Sequence, residues 1–265
     1  MIPIIRWTLW QRRWSVFWWC VGITAFLALS LGFYPAVRDQ AAELNQALEN
    51  IPKTARAFIT DQSDILSPRG FLSARVFYLL LPLILSVLTI NLGNSLLAKE
   101  ENEGTLELLL SRPISRARLL TAKALSGLII LAIVGGVALI DILILSRLVG
   151  IEVPLADIAL ATLLCLLFVL SIGCIAFYMS SVGQRGRLAG VGIAAFIGLG
   201  SYIVSSLTSL ADWLKWPDKF LPYHYYRPGE VLNGSYDWGW AWLFVIIIVT
   251  LGILSWASFR RRDIG

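Results

Sequence analysis

The sequence has 265 residues, 57% of them hydrophobic and 15% charged, with a mean hydropathy of +0.74 and a formal net charge of +5. That balance excludes an ordinary soluble domain, where apolar residues make up about 45–50% and charged residues about 25%. The positive excess is scattered through short segments between apolar runs and forms no basic face, which excludes a nucleic-acid binder.

A helix needs roughly 20 apolar residues to cross about 30 Å of hydrocarbon, and six segments reach that length: 16–34, 76–98, 124–146, 158–182, 188–211 and 240–259. The expected fold is therefore all-α, a polytopic membrane protein with one transmembrane domain over residues 1–265. Of the residues inside these runs, only Asp141 is formally charged. Cys20, Cys165 and Cys174 all fall within them, where a thiol behaves as a small hydrophobe, so neither a disulfide framework nor a metal site is expected. His224 is the single histidine and reads as a surface or interfacial residue.

In chain order, residues 1–14 mix Ile4, Ile5, Trp7, Leu9 and Trp10 with Arg6, Arg12 and Arg13, the make-up of a helix lying in the membrane interface. The alternative is a plain helical extension of the first span. That span is too long for a signal-peptide core and no A-x-A-like cleavage site follows it, so it reads as an uncleaved first crossing. The outer loop 35–75 carries Ala41, Ala42, Leu44, Ala47 and Leu48 at helical spacing, a break at Pro52, then Ala55, Phe58 and Ile59, a pattern that predicts two short amphipathic helices. In the second span, Asn91 and Asn94 are candidates for bonding between helices or for touching a transported molecule. With both termini on the cytoplasmic face, that face holds thirteen of the 22 basic residues, among them Arg185 and Arg187 in a five-residue turn, as the positive-inside rule requires.

Segment 99–118 joins spans two and three. It is too polar for lipid, yet it carries Leu106, Leu108, Leu109 and Leu110. Gly104 weakens the helix leaving span two, Thr105 can cap a new one, Glu107 suits the positive end of its dipole and Pro113 forbids its continuation. A helix of roughly two turns results, and each leucine left bare forgoes roughly 1.5–3 kcal/mol. The acidic flank of Glu100, Glu101 and Glu103 is repelled by anionic headgroups and favours a protein groove with basic rims. Ser115 is placed to cap the third span, which Arg116, Arg118 and Lys123 anchor at the inner surface.

The run Glu103-Gly104-Thr105-Leu106-Glu107-Leu108-Leu109-Leu110-Ser111-Arg112-Pro113-Ile114-Ser115-Arg116, followed by Leu119, Leu120 and Lys123, resembles the hallmark cytoplasmic loop of type 2 ABC exporter permeases. The basic N-terminal arm, the six spans and the ending Phe259-Arg260-Arg261-Arg262-Asp263-Ile264 extend the resemblance along nearly the whole chain. It implies a permease of the plasma membrane, such as a bacterial inner membrane, that exports an amphipathic or hydrophobic compound. Its coupling helix, Glu103 to Ser111 with Glu100, Glu101, Arg112, Pro113 and Arg116, seats on cytoplasmic ATP-binding subunits, two copies in all. No G-x-x-x-x-G-K-[ST] occurs in this sequence, so ATP and Mg are expected on that partner, with no cofactor held by this chain. A second permease copy or a related permease, and membrane lipid, complete the expected partners; nucleic acid is not one.

Asp141 is expected near the outer end of span three, either interfacial or lining a cavity. Gly190, Ala194 and Gly198 form a small-residue ladder on span five. In the resembled family spans one and five border the interface between permeases, which makes the ladder a candidate dimer contact. Outer loop 212–239 is crowded with Trp213, Trp216, Tyr223, Tyr225, Tyr226, Tyr236 and Trp238, as in an interface belt or a short re-entrant or surface helix. Rival readings are an intramembrane hydrolase, which lacks histidines at membrane depth, a secondary transporter, whose inverted halves are not evident, and an ATPase-driven sensor or assembly factor.

Overall fold

The structure, a computed structural model, describes residues 1–40, 67–102, 115–208 and 211–261, with the backbone alone for 98–102 and 184–185. Among them, six helices are long and apolar enough to cross a membrane, and no strand occurs. The elements are α1 (Ile2–Gly32), α2 (Tyr34–Asp39), α3 (Pro68–Leu72), a π-helical turn (Ser73–Phe77), α4 (Leu80–Asn102), α5 (Arg116–Leu148), α6 (Leu155–Val182) and α7 (Gln184–Leu207). Then come a 3-10 turn (Asp212–Leu214), α8 (Lys215–Asp218), a 3-10 turn (Pro222–Tyr225), α9 (Pro228–Leu232), a 3-10 turn (Trp238–Trp240) and α10 (Ala241–Arg261).

Residues 4–21 contain neither proline nor glycine, so nothing breaks the first helix where an interfacial segment would have to turn. The stretch expected as a separate surface helix forms the first turns of α1. At 1.5 Å per residue α1 is about 46 Å long, well beyond the hydrocarbon thickness. The two amphipathic helices expected in loop 35–75 lie outside the described residues, apart from the flanking α2 and α3.

Helix α6 is the hub, packing against α4, α7 and α10, while α1 lies along α5. Glycines set the closest crossing. A Cβ on Gly93 of α4 would sit 2.5 Å from the carbonyl oxygen of Gly173 on α6, and one on Gly173 would meet Thr89 at 2.6 Å. Backbones this close gain dispersion contact, the main attraction available between helices in lipid, and Thr89 Oγ1 adds a bond to the carbonyl of Val169 at 2.8 Å. The turn from α6 into α7 is made at Gly183, whose φ of 146° and ψ of −174° fall in a region open essentially to glycine alone.

At the far end from the termini, the chain after α7 folds back over the bundle. The aromatic crowd of this segment divides in two. Trp213, Trp216 and Phe220 stay exposed, whereas Tyr223, Tyr226 and Tyr236 are buried. The buried tyrosines answer an irregularity in span two. Tyr78 N bonds back five residues to the Ser73 carbonyl, and Pro82 has no amide hydrogen to give the carbonyl four residues before it, that of Tyr78. Tyr223 Oη donates to that carbonyl, and Tyr226 Oη donates to the Phe77 carbonyl at 2.7 Å. The Tyr226 ring stacks on Phe168 of α6 at 4.8 Å.

Replacing Gly93 with alanine is expected to cost about 1–3 kcal/mol by forcing α4 from α6. Gly136→Ala, at a position with open space around it, is expected to leave stability unchanged or slightly raised. Thermal unfolding of the two variants in the same detergent tests this, and equal shifts would show that the crossing does not set the packing.

Candidate coupling end and transport groove

The end of the bundle that carries Thr8, Lys123 and Phe259, called inner after the side its basic residues favour, is tied together by basic side chains that reach into the bundle. Lys123 is only 3% exposed, and its Nζ donates to Thr8 Oγ1 at 3.1 Å, while Thr8 Oγ1 donates to the Ile4 carbonyl at 2.9 Å. Arg12 Nη2 donates to Ser95 Oγ on α4 at 2.8 Å, and Ser95 Oγ donates to the Asn91 carbonyl at 2.6 Å. An ammonium buried at this depth is tolerable only with acceptors around it, so the contacts hold α1 against both helices that flank segment 99–118. Beside them, Leu97 of α4, Leu120 of α5 and Phe259 of α10 form a small apolar cluster against Phe177 of α6. Ser115 caps α5 as its spacing suggests, its Oγ accepting from Arg118 N at 3.3 Å, and Arg116 follows half-buried in the first turn.

Of the proposed docking residues, Glu100 and Glu101 lie on the last turn of α4, of which the structure gives the backbone alone. Glu103, Gly104, Thr105, Leu106, Glu107, Leu108, Leu109, Leu110, Ser111, Arg112 and Pro113 lie outside the described residues.

The candidates within the spans are placed individually. Asn91 is exposed and Asn94 half-buried. Asn94 Oδ1 is buried without a hydrogen-bond partner among the described residues, and its carbonyl accepts from Ser180 Oγ of α6 at 3.2 Å. Asp141 lies seven residues, about 10 Å, from the outer end of α5, and its Oδ2 accepts from Thr24 Oγ1 of α1 at 2.6 Å. The ladder on α7 faces α6 of the same chain. A Cβ on Gly190 would meet Met179 at 2.7 Å, Ala194 is fully buried, and Gly198 lies 3.5 Å from Ile172 on the same measure.

Two cavities occupy opposite faces of α4. One, of about 230 Å³, is a groove between α4 and α7 with Leu83, Val87, Ile90 and Leu199 on its walls and Phe168 and Tyr223 at its floor. The other, of about 210 Å³, lies among α4, α5, α6 and α10 and is lined by Gly93, Leu128, Cys174 and Ile248. Both are almost wholly apolar. A third, polar pocket sits at the outer end. There Asp218, 5% exposed, accepts from Ser205 Oγ and from His224 Nδ1, and Arg227 pairs with Glu230 at 2.8 Å. Nearby, burial first and then the charge of Glu230 push the Tyr236 phenol up to about 12. It therefore remains a neutral donor to the Tyr225 carbonyl, at 2.8 Å.

A bundle of six apolar helices with apolar grooves between them agrees with what comparison shows: the ABC-2 family transporter protein profile matches residues 12–264. The chain belongs to the ABC-2 transporter family. No curated protein and no solved structure matches it significantly. As an ABC-2 permease it is a multi-pass membrane component that works with ABC ATP-binding subunits.

In this ABC-2 permease the resemblance drawn from the hairpin holds, but sequence reasoning missed two features. Lys123 was expected to anchor at the inner surface and instead points into the bundle, a choice made by Thr8 on a helix 115 residues away in sequence. His224, expected at a surface or interface, is half-buried and pairs with Asp218, a partner that the sequence reading did not name. The spacing of six residues between them, within a proline-rich segment, was the available signal.

Thr8→Val is expected to remove one hydrogen bond to a charged donor, worth about 1.5–3 kcal/mol, and so to speed amide exchange in the first three turns of α1 while leaving the α4–α6 crossing unaffected. Hydrogen exchange with mass spectrometry distinguishes that outcome from no change, which would show the Lys123 contact to be incidental.

Proposed function

We propose that this permease exports an amphipathic or hydrophobic compound by alternating access, driven by ATP hydrolysis on two separate subunits that grip the hairpin after α4. The observation that carries the cargo class is the groove between α4 and α7: its walls are almost entirely apolar and no charged side chain lines it. A small hydrophilic ion gains nothing from such a surface, whereas an apolar body buried there gains about 25 cal/mol for each Å² removed from water.

The leucines of segment 99–118 supply the docking face. When two ATP-binding subunits close, docked hairpins are drawn together, and α4 and α5 carry that displacement into the bundle. The contacts of Arg12 with Ser95 and of Lys123 with Thr8 take α1 along, and the Leu97, Leu120 and Phe259 cluster takes α10. The second permease required to enclose a path is a second copy or a relative. The small ladder on α7 is engaged with α6 here, which leaves Leu188, Phe196 and Leu199 as the exposed apolar face of that helix.

Leu109→Asp places a charge in the docking face and is expected to abolish copurification of the ATP-binding subunit while the permease still inserts; retention of the subunit would refute the docking role. Gly104→Pro is expected to leave the subunit bound and hydrolysing ATP but to stop uptake of a lipophilic dye into inverted vesicles, because the hairpin loses its hinge geometry. Normal dye uptake would refute the mechanical role.

A further inference from the structure

The apolar groove and the polar outer pocket meet at Tyr223, whose ring lines both. The outer pocket encloses about 210 Å³ and has Tyr78, Tyr223 and Tyr226 in its walls. Tyr223 and Tyr226 donate their hydroxyls inward to backbone carbonyls, and the Tyr78 hydroxyl pairs with Ser206 Oγ, so what these residues offer an occupant is ring surface. The charges are Asp218 and Glu230 against Arg227, an excess of one negative when His224 is neutral. Asp218 is locked in place by Ser205 and His224, while Glu230 and Arg227 pair at the more open rim. Ring faces with a fixed carboxylate attract an organic cation and repel an anion.

We propose that this pocket holds the ammonium head of a cationic amphiphile whose single alkyl chain lies in the α4–α7 groove. The groove runs from Leu79 to Ile90, about 16 Å along α4, a length suited to a medium alkyl chain. Tyr223, which lines both cavities, touches the first methylenes and the head alike. Glu230 exchanges part of its contact with Arg227 for the ammonium, and Arg227 turns to solvent. The assignment of these ligands as cargo rests on the transport reading above; their binding does not.

The test uses the full chain in nanodiscs, with tetramethylammonium, decyltrimethylammonium and decyl sulfate as probes, titrated calorimetrically against empty nanodiscs. Saturable binding of both ammonium ions is expected, with the decyl compound at least about tenfold tighter and decyl sulfate not saturating. Glu230→Gln is expected to weaken both ammonium ions about tenfold. Gly198→Leu, which fills the groove, is expected to abolish the advantage of the decyl chain while leaving tetramethylammonium as in the parent. Unchanged unfolding midpoints certify that both variants are folded. Absence of saturable ammonium binding, equal binding of decyl sulfate, or indifference to Glu230→Gln overturns the site. Binding as expected without ATP-dependent movement of decyltrimethylammonium in the reconstituted complex overturns the transport reading and leaves the site standing. Movement that is unchanged in Glu230→Gln does the reverse.

Discussion

A backbone carbonyl buried away from water must find a donor within the protein, and that constraint shapes the outer half of this molecule. Span two begins with a π-helical turn and meets Pro82 soon after, so its regular ladder of bonds is interrupted among buried residues. The remedy comes from about 145 residues further along the chain, where Tyr223 and Tyr226 deliver hydroxyls to the carbonyls of Tyr78 and Phe77. Two tyrosines drawn that far inward pull their whole segment over the bundle. The Pro222–Tyr225 turn therefore sits on α7, α9 sits on α6, and the groove between α4 and α7 acquires an aromatic floor. The irregularity in one helix and the cap formed by another segment are one feature seen from two sides.

The inner half obeys the complementary rule, that a buried cation must keep company with acceptors. Lys123 and Arg12 both meet hydroxyls, Thr8 and Ser95, whose own hydrogens go to carbonyls one turn away on their helices. A hydroxyl placed in this way has its lone pairs directed at the cation, and the helix backbone shares the charge. These contacts tie α1 to α4 and α5 at the end of the bundle that carries Lys123.

The sequence revealed the spans and their number because each depends on local composition, a run of apolar residues long enough for a bilayer. It revealed the capping of α5 by Ser115 for the same reason. Features decided by distant partners were not legible. Nothing near Lys123 marks it as inward-facing, since Thr8, which accepts from it, sits on α1. Nothing near Tyr226 distinguishes it from Trp216, yet one is buried against Phe168 and the other stays exposed. The continuity of α1 was legible in the absence of a breaker over residues 4–21, but the mixture of tryptophan and arginine suggested a surface helix. Composition describes which solvent a segment meets, and it does not say where the helix axis bends.

Helix α6 joins the two halves physically. Phe177 touches the inner cluster, Ser180 holds the Asn94 carbonyl, Gly173 lies against Gly93, and Phe168 stacks under Tyr226. These contacts follow one another along a single unbroken helix, so a displacement of the inner end has no soft element in which to dissipate before it reaches the tyrosines. The same helix turns at Gly183 straight into α7, the opposite wall of the groove. A change in the tilt of α6 therefore alters the groove width and the position of its aromatic floor together. On the transport reading proposed above, an occupant shared between groove and outer pocket would meet both changes at once, so that a small motion at the end near Lys123 would reduce the grip on a bound molecule.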